Sequence, residues 1–155
     1  MQSKFRLLVV RLGAMGDILH ALPAVTALRI AHPEWVIDWV VEPKWRALLA
    51  SETSAGRDPG SPASTQPIVD HLHLAPTKQW RRNPLAGKTR LEIGTLRQQL
   101  KAGNYDAVLD LQGAIRSAVI GRMAGGRCVI GPAEPRERAA RVRPTPRDNP
   151  CRPAS

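Results

Sequence analysis

Asp17 ends a short segment, Gly13-Ala14-Met15-Gly16-Asp17, lying between an apolar run and a helical pattern. The run centres on Leu7 to Val10, and the helical pattern follows as Ile18, Leu22, Val25 and Leu28. Gly13 and Gly16 let the backbone turn tightly and come close to a ligand. A strand, a glycine-bearing turn and a helix start are the parts of a ligand site at the edge of an open α/β sheet. A carboxylate there has two uses. It can accept hydrogen bonds from the first helical turn, next to the positive end of the helix dipole, or it can act on the bound ligand. Ala14 and Met15 are expected to pack against the turn or line it. The spacing Gly-x-x-Gly-Asp lacks the full Gly-x-Gly-x-x-Gly of a dinucleotide site, so no nicotinamide cofactor is expected.

The second group with chemistry in it is basic. Lys78, Arg81 and Arg82 surround Trp80 in a stretch read as a loop over 78–88, and Arg116 follows Gln112-Gly113 at the end of a strand. The planar guanidinium fork suits carboxylates and phosphates; a solvated basic loop is the plainer reading. Gly87-Lys88-Thr89 is no phosphate-binding P-loop, because Arg82 stands where the first glycine belongs and no strand precedes it. His71 and His73 lack a third ligand at metal spacing, and no metal is expected.

These groups need a scaffold. Phe5–Leu12 reads as a buried strand, Val36–Glu42 as a second and Tyr105–Leu111 as a third, with shorter ones at His71–Ala75 and Cys128–Ile130. Between them come a helix from Ile18 that Pro23 should kink or restart, a short helix over Lys44–Ala50, and a helix opened by the capping-box spacing Thr89-Arg90-Leu91-Glu92 and closed by Gly103. A last helix presents Ile115, Val119 and Met123. This alternation argues for a doubly wound parallel sheet. Residues 51–66, rich in Ser, Gly, Pro and Thr, read as a mobile surface loop. The last 24 residues carry six prolines and six arginines and read as a disordered tail. The expected division is a Rossmann-like domain over 1–131 and a tail over 132–155.

The chain has 155 residues, room for one domain with a real core. Its net charge of +10 favours anionic partners. Two cysteines suggest no disulfide framework and fit a reducing compartment. The apolar stretch near the N-terminus is too short for a signal peptide or a membrane span.

Four ordered stretches together resemble glycosyltransferase family 9, the lipopolysaccharide heptosyltransferases. They are Arg11 to Leu28, Ile37-Asp38-Trp39-Val40-Val41-Glu42, Trp80-Arg81-Arg82, and Tyr105 to Gly113 followed by Arg116-Ser117-Ala118. The resemblance covers about residues 5 to 140. It implies the N-terminal domain of a GT-B glycosyltransferase, truncated, with the Pro/Arg-rich stretch after about Val142 foreign to the family. It makes Asp17 the general base of an inverting heptose transfer, and gives Gly13, Met15, Gly16, Lys78, Arg81, Arg82, Gln112, Gly113 and Arg116 to acceptor binding. The implied partners are an ADP-heptose donor held by a C-terminal domain, a Kdo–lipid A acceptor and the cytoplasmic surface of the inner membrane, with no cofactor or metal. A chain missing its donor domain would be inactive alone. The rival reading is a basic Rossmann-like module that binds anionic ligands or nucleic acid without catalysis. No recognition-helix or RNA-binding signature supports the nucleic-acid branch.

Overall fold

The computed structural model describes residues 4–49 and 67–132. The elements run β1 Arg6–Val10, α1 Met15–Ala31, β2 Val36–Val41, a 3-10 turn Pro43–Trp45 leading into α2 Arg46–Leu49, and β3 His71–Leu74. They continue with α3 Thr77–Arg82, α4 Gly87–Ala102, β4 Ala107–Asp110, α5 Ile115–Ala124 and β5 Cys128–Ile130. The five strands form one parallel sheet in the order β3-β2-β1-β4-β5. Successive residues of β1 serve opposite faces. Leu7 and Val9 join Ile18, Val25 and Trp39 on one side, and Leu8 and Val10 join Leu96, Leu100 and Ile120 on the other. A strand covered on both faces must be apolar at every position, which is why β1 reads as a continuous run.

Several expectations are corrected. Pro23 neither kinks α1 into two elements nor restarts it, since the helix runs on through Ala31. Pro23 lies on the solvent side, where water can serve the carbonyl whose intrahelical donor is lost. The basic stretch after Lys78 is mostly helix, α3, entered from Pro76. Thr89 does not cap α4, which begins at Gly87; its hydroxyl is buried and donates to the Asn83 carbonyl at 2.8 Å. In α5 the inward face is Ser117, Ile120, Gly121 and Ala124, while Ile115 and Val119 stay exposed. Cys128 is disulfide-bonded, against the expectation drawn from cysteine count, because spacing in sequence does not report proximity in space. The proposed loop over 51–66 and the tail beyond Pro132 lie outside the described residues.

Two buried polar clusters tie the sheet. One centres on Arg29. The other lies toward the amino ends of the strands, on the face covered by α4 and α5. There the Asp38 carboxylate accepts the Tyr105 hydroxyl at 2.7 Å, meets His71 Nδ1 at 2.9 Å and lies 3.5 Å from the Arg6 guanidinium. His73 Nε2 stands 2.9 Å from the Tyr105 oxygen. Burial alone would raise the Asp38 pKa, but the hydrogen bonds from His73, Tyr105 and His71, with the charge of His71, outweigh it and hold the carboxyl below its ordinary value. Burial, then the bond to Asp38, pushes the Tyr105 phenol far upward, so it serves as a neutral donor. An acid held below its unfolded pKa stabilises the fold above that value and stops doing so as pH falls through the folded one. The melting temperature is therefore expected to drop as pH is lowered from about 5 through the carboxylate range. Asp38→Asn should flatten that acid limb; an unchanged slope in thermal melts would remove Asp38 as its cause.

Candidate active site

The sheet order reverses between β1 and β4. At such a switch point the chains leaving neighbouring strands go to opposite faces, and a crevice opens beyond their carboxyl ends. In this crevice lies a cleft of about 240 Å³. Gly13 and Asp17 reach it from the turn after β1, Glu42 and Trp45 from the end of β2, Lys78 from α3, and Arg116 from α5.

Asp17 occupies the third position of α1. The N-cap is Ala14, which has no side-chain oxygen to offer, so Asp17 reaches back and accepts the Ala14 N–H at 3.2 Å. The same oxygen, Oδ2, meets the Arg11 guanidinium at 2.7 Å. Arg11 is itself fixed. Its guanidinium donates to the Leu111 carbonyl, and its own carbonyl accepts the Trp39 indole N–H at 3.0 Å. Both contacts fall on Oδ2, and Oδ1 makes no hydrogen bond or ion pair with the described residues. With its side chain 33% exposed, Asp17 caps the helix and faces the cleft together.

Around it the turns are wired to one another. The Gln112 side-chain carbonyl accepts the Leu12 N–H at 2.8 Å, joining the turns after β1 and β4. Asp110 holds the β4 turn by accepting the Gln112 and Gly113 N–H groups at 2.9 and 3.1 Å and the Ser117 hydroxyl at 2.9 Å. Gly113 takes the left-handed conformation (φ 64°) that this turn needs. Thr77 donates to Glu42 at 2.6 Å and accepts from Arg116 at 3.3 Å, which binds the ends of β2, β3 and β4 together. Gly13 lies under Trp45: a Cβ there would fall 2.7 Å from the indole nitrogen. Lys44 Nζ sits 4.1 Å from the Trp45 ring centre. Arg11 is matched by Asp17, which leaves Lys44, Lys78 and Arg116 against Glu42. The cleft is therefore positive and fits an anionic ligand.

Of the residues expected from sequence, Gly13, Asp17, Lys78, Gln112 and Arg116 come together in the cleft. Arg82 lines an adjoining hollow with Lys78 and Glu42. Met15, Gly16 and Arg81 are exposed and are not among the residues lining the cleft, and Gly113 is buried in its turn. Glu42, Lys44, Trp45 and Thr77 were missed. One signal existed for Glu42, as a carboxylate at the carboxyl end of a parallel strand, just before a proline. Among the described residues no group of side chains could hold a metal ion.

Comparison with known proteins agrees with this architecture. Residues 93–143 match the model of glycosyltransferase family 9 (heptosyltransferase). Lipopolysaccharide heptosyltransferase 1 of Escherichia coli strain K12 is 33% identical over 128 residues, covering 78% of this chain and 34% of that protein. Its Pseudomonas aeruginosa counterpart is 31% identical over 126 residues, 81% of this chain and 32% of the relative. The chain thus spans about a third of the length of the curated relatives it matches. The solved structure of E. coli heptosyltransferase WaaC with ADP superposes with a TM-score of 0.71 at 30% identity, covering 88% of this chain and 39% of that one. A five-stranded parallel sheet with a switch-point cleft is thus similar, over the part that the chain spans, in sequence and in fold to heptosyltransferases of glycosyltransferase family 9.

Proposed function

We propose that this chain supplies the acceptor side of an inverting heptosyltransferase, which moves heptose from ADP-heptose onto a hydroxyl of the Kdo–lipid A inner core. Asp17 is the general base, taking the acceptor's proton as that oxygen attacks the anomeric carbon. The observation that carries the reading is the placement of Asp17. One carboxylate oxygen is pinned by Arg11 and Ala14, while the other is left to a positive cleft. Lys78 and Arg116 suit the carboxylate and phosphates of the acceptor, and Gln112 fixes the turn beside them. The donor is assigned to the part of the relatives that this chain does not span. The site of action proposed is the cytoplasmic face of the inner membrane. Among the described residues no helix is long and apolar enough to cross a membrane.

The division of labour is testable by calorimetric titration. The chain should bind a soluble Kdo-containing acceptor, with affinity falling as salt rises, and should give no heat with ADP-heptose. Binding of ADP-heptose without the acceptor would overturn the assignment.

A further inference from the structure

The corner joining α3 to α4 has a property that the cleft does not use. Every residue from 81 to 88 is exposed, yet the corner is held in shape. The Ala86 N–H donates to the Asn83 carbonyl at 3.3 Å, and the Thr89 hydroxyl donates to the same carbonyl at 2.8 Å. At its tip Leu85 is 78% exposed, and Leu91, on the first turns of α4, is 72% exposed. A core-seeking residue displayed on a braced knuckle contributes nothing to this fold. From His71 to Leu91 the sequence holds Lys78, Arg81, Arg82, Lys88 and Arg90 and no acidic residue. The next residue, Glu92, is engaged by the Trp80 indole N–H at 2.8 Å and by Lys88 at 3.9 Å.

The corner is also joined to the cleft. A hollow of about 320 Å³ shares Glu42, Lys44 and Lys78 with the cleft, and a third of about 300 Å³ shares Gln79 and Arg82 with the second and reaches Lys88. Together they make a trough that follows α3 from Asp17 toward the Leu85 corner, as far as Asn83 and Ala86, and is lined by Lys44, Lys78, Arg82 and Lys88 against Glu42 and Glu92. We propose that this corner docks on an anionic lipid surface, with Leu85 entering the headgroup layer and Lys88 and Arg90 on lipid phosphates, so that the trough opens toward the bilayer. Exposed apolar side chains ringed by cations are the pattern that binds such a surface, each cation adding electrostatic attraction and the leucine adding apolar burial. A purely electrostatic polyanion site has no use for Leu85, and that decides for lipid over nucleic acid. The direction of the trough rests on the acceptor reading above; the docking does not.

The test is flotation of the chain with vesicles of phosphatidylglycerol and phosphatidylcholine, and with phosphatidylcholine alone. Binding is expected on the anionic vesicles only. Leu85→Ser should weaken it about 10-fold, and Lys88→Gln with Arg90→Gln about 25-fold, at about 5-fold for each cation. Arg122→Gln with Arg127→Gln, at the opposite edge of the sheet, should change it less than 3-fold. Circular dichroism checks that each variant is folded, and Leu85→Trp supplies a second readout, a blue-shifted emission on anionic vesicles. Equal binding to both vesicle types, or full binding by Leu85→Ser with heparin competing equally against it and the wild type, would overturn the proposal; the latter would mark a general polyanion patch. Because flotation involves no sugar transfer, docking can hold where the acceptor titration fails, and the reverse.

Discussion

In a protein that carries this segment together with a donor-binding part, Asp17→Asn is expected to lower kcat for heptose transfer by about 10²–10⁴-fold. The substitution separates the helix cap that Asp17 forms from the general-base role proposed for it. Asparagine has nearly the same shape, and its amide oxygen can still accept the Ala14 N–H that Asp17 accepts at 3.2 Å, so the cap survives and helix α1 loses at most about 1 kcal/mol. What goes is the negative charge, and with it the capacity of Oδ1 to take a proton from a hydroxyl. Arg11 also loses its 2.7 Å partner, but the Leu111 carbonyl continues to hold its guanidinium. The expected result is a variant that melts near the wild type, binds acceptor, and turns over at a small fraction of the rate. Measuring kcat and melting temperature on the same sample distinguishes the outcomes. Full activity in Asp17→Asn would reduce the residue to a helix cap. A loss of activity matched by a loss of folded protein would show the same structural role in another way.

The parts of this architecture that were legible are those where one segment settles the matter. β1 and β2 are covered on both faces, so nearly every residue is apolar and the strands stand out. Asp17 was legible because its glycines, its cap position and its strand all lie within a dozen residues. Helix α3 was not, since it has under two turns and a single large apolar residue, Trp80. The spacing of Ile115, Val119 and Met123 located α5 but not its inward face. At Gly121 a Cβ would already stand 3.4 Å from Val108, so the helix approaches the sheet on its small residues and turns Ile115 and Val119 outward. The Glu42–Thr77–Arg116 bridge joins groups 35 and 39 positions apart. The parallel registers of β2 on β3 and of β1 on both β2 and β4 bring them together, and no local pattern reports those registers.

The same dependence on distant partners makes Arg29 the residue whose loss should damage the fold most. It is 2% exposed within α1 and is surrounded by oxygen. Its guanidinium meets Asp70 Oδ2 at 2.6 Å and donates to the Trp35 carbonyl at 2.7 Å, with the Ile68 carbonyl 3.4 Å from Nε. Asp70 in turn accepts the Ile37 N–H at 2.7 Å. One side chain thus locks α1 to the entries of β2 and β3. Arg29→Met roughly keeps the volume while taking the cation from a buried carboxylate and a donor from each carbonyl. Breaking one side of such a pair costs about 3–5 kcal/mol, a large share of the roughly 5–15 kcal/mol that holds a domain folded. The urea midpoint should fall steeply with an unchanged m-value. Adding Asp70→Asn to Arg29→Met should recover part of the loss, because the uncompensated charge is then gone; strictly additive effects would show that the pair is not coupled. Since α1 also carries Asp17 at its first turn, the single variant should lose acceptor binding in proportion to the folded fraction and no further, as expected when Arg29 supports the site only by keeping the helix in place.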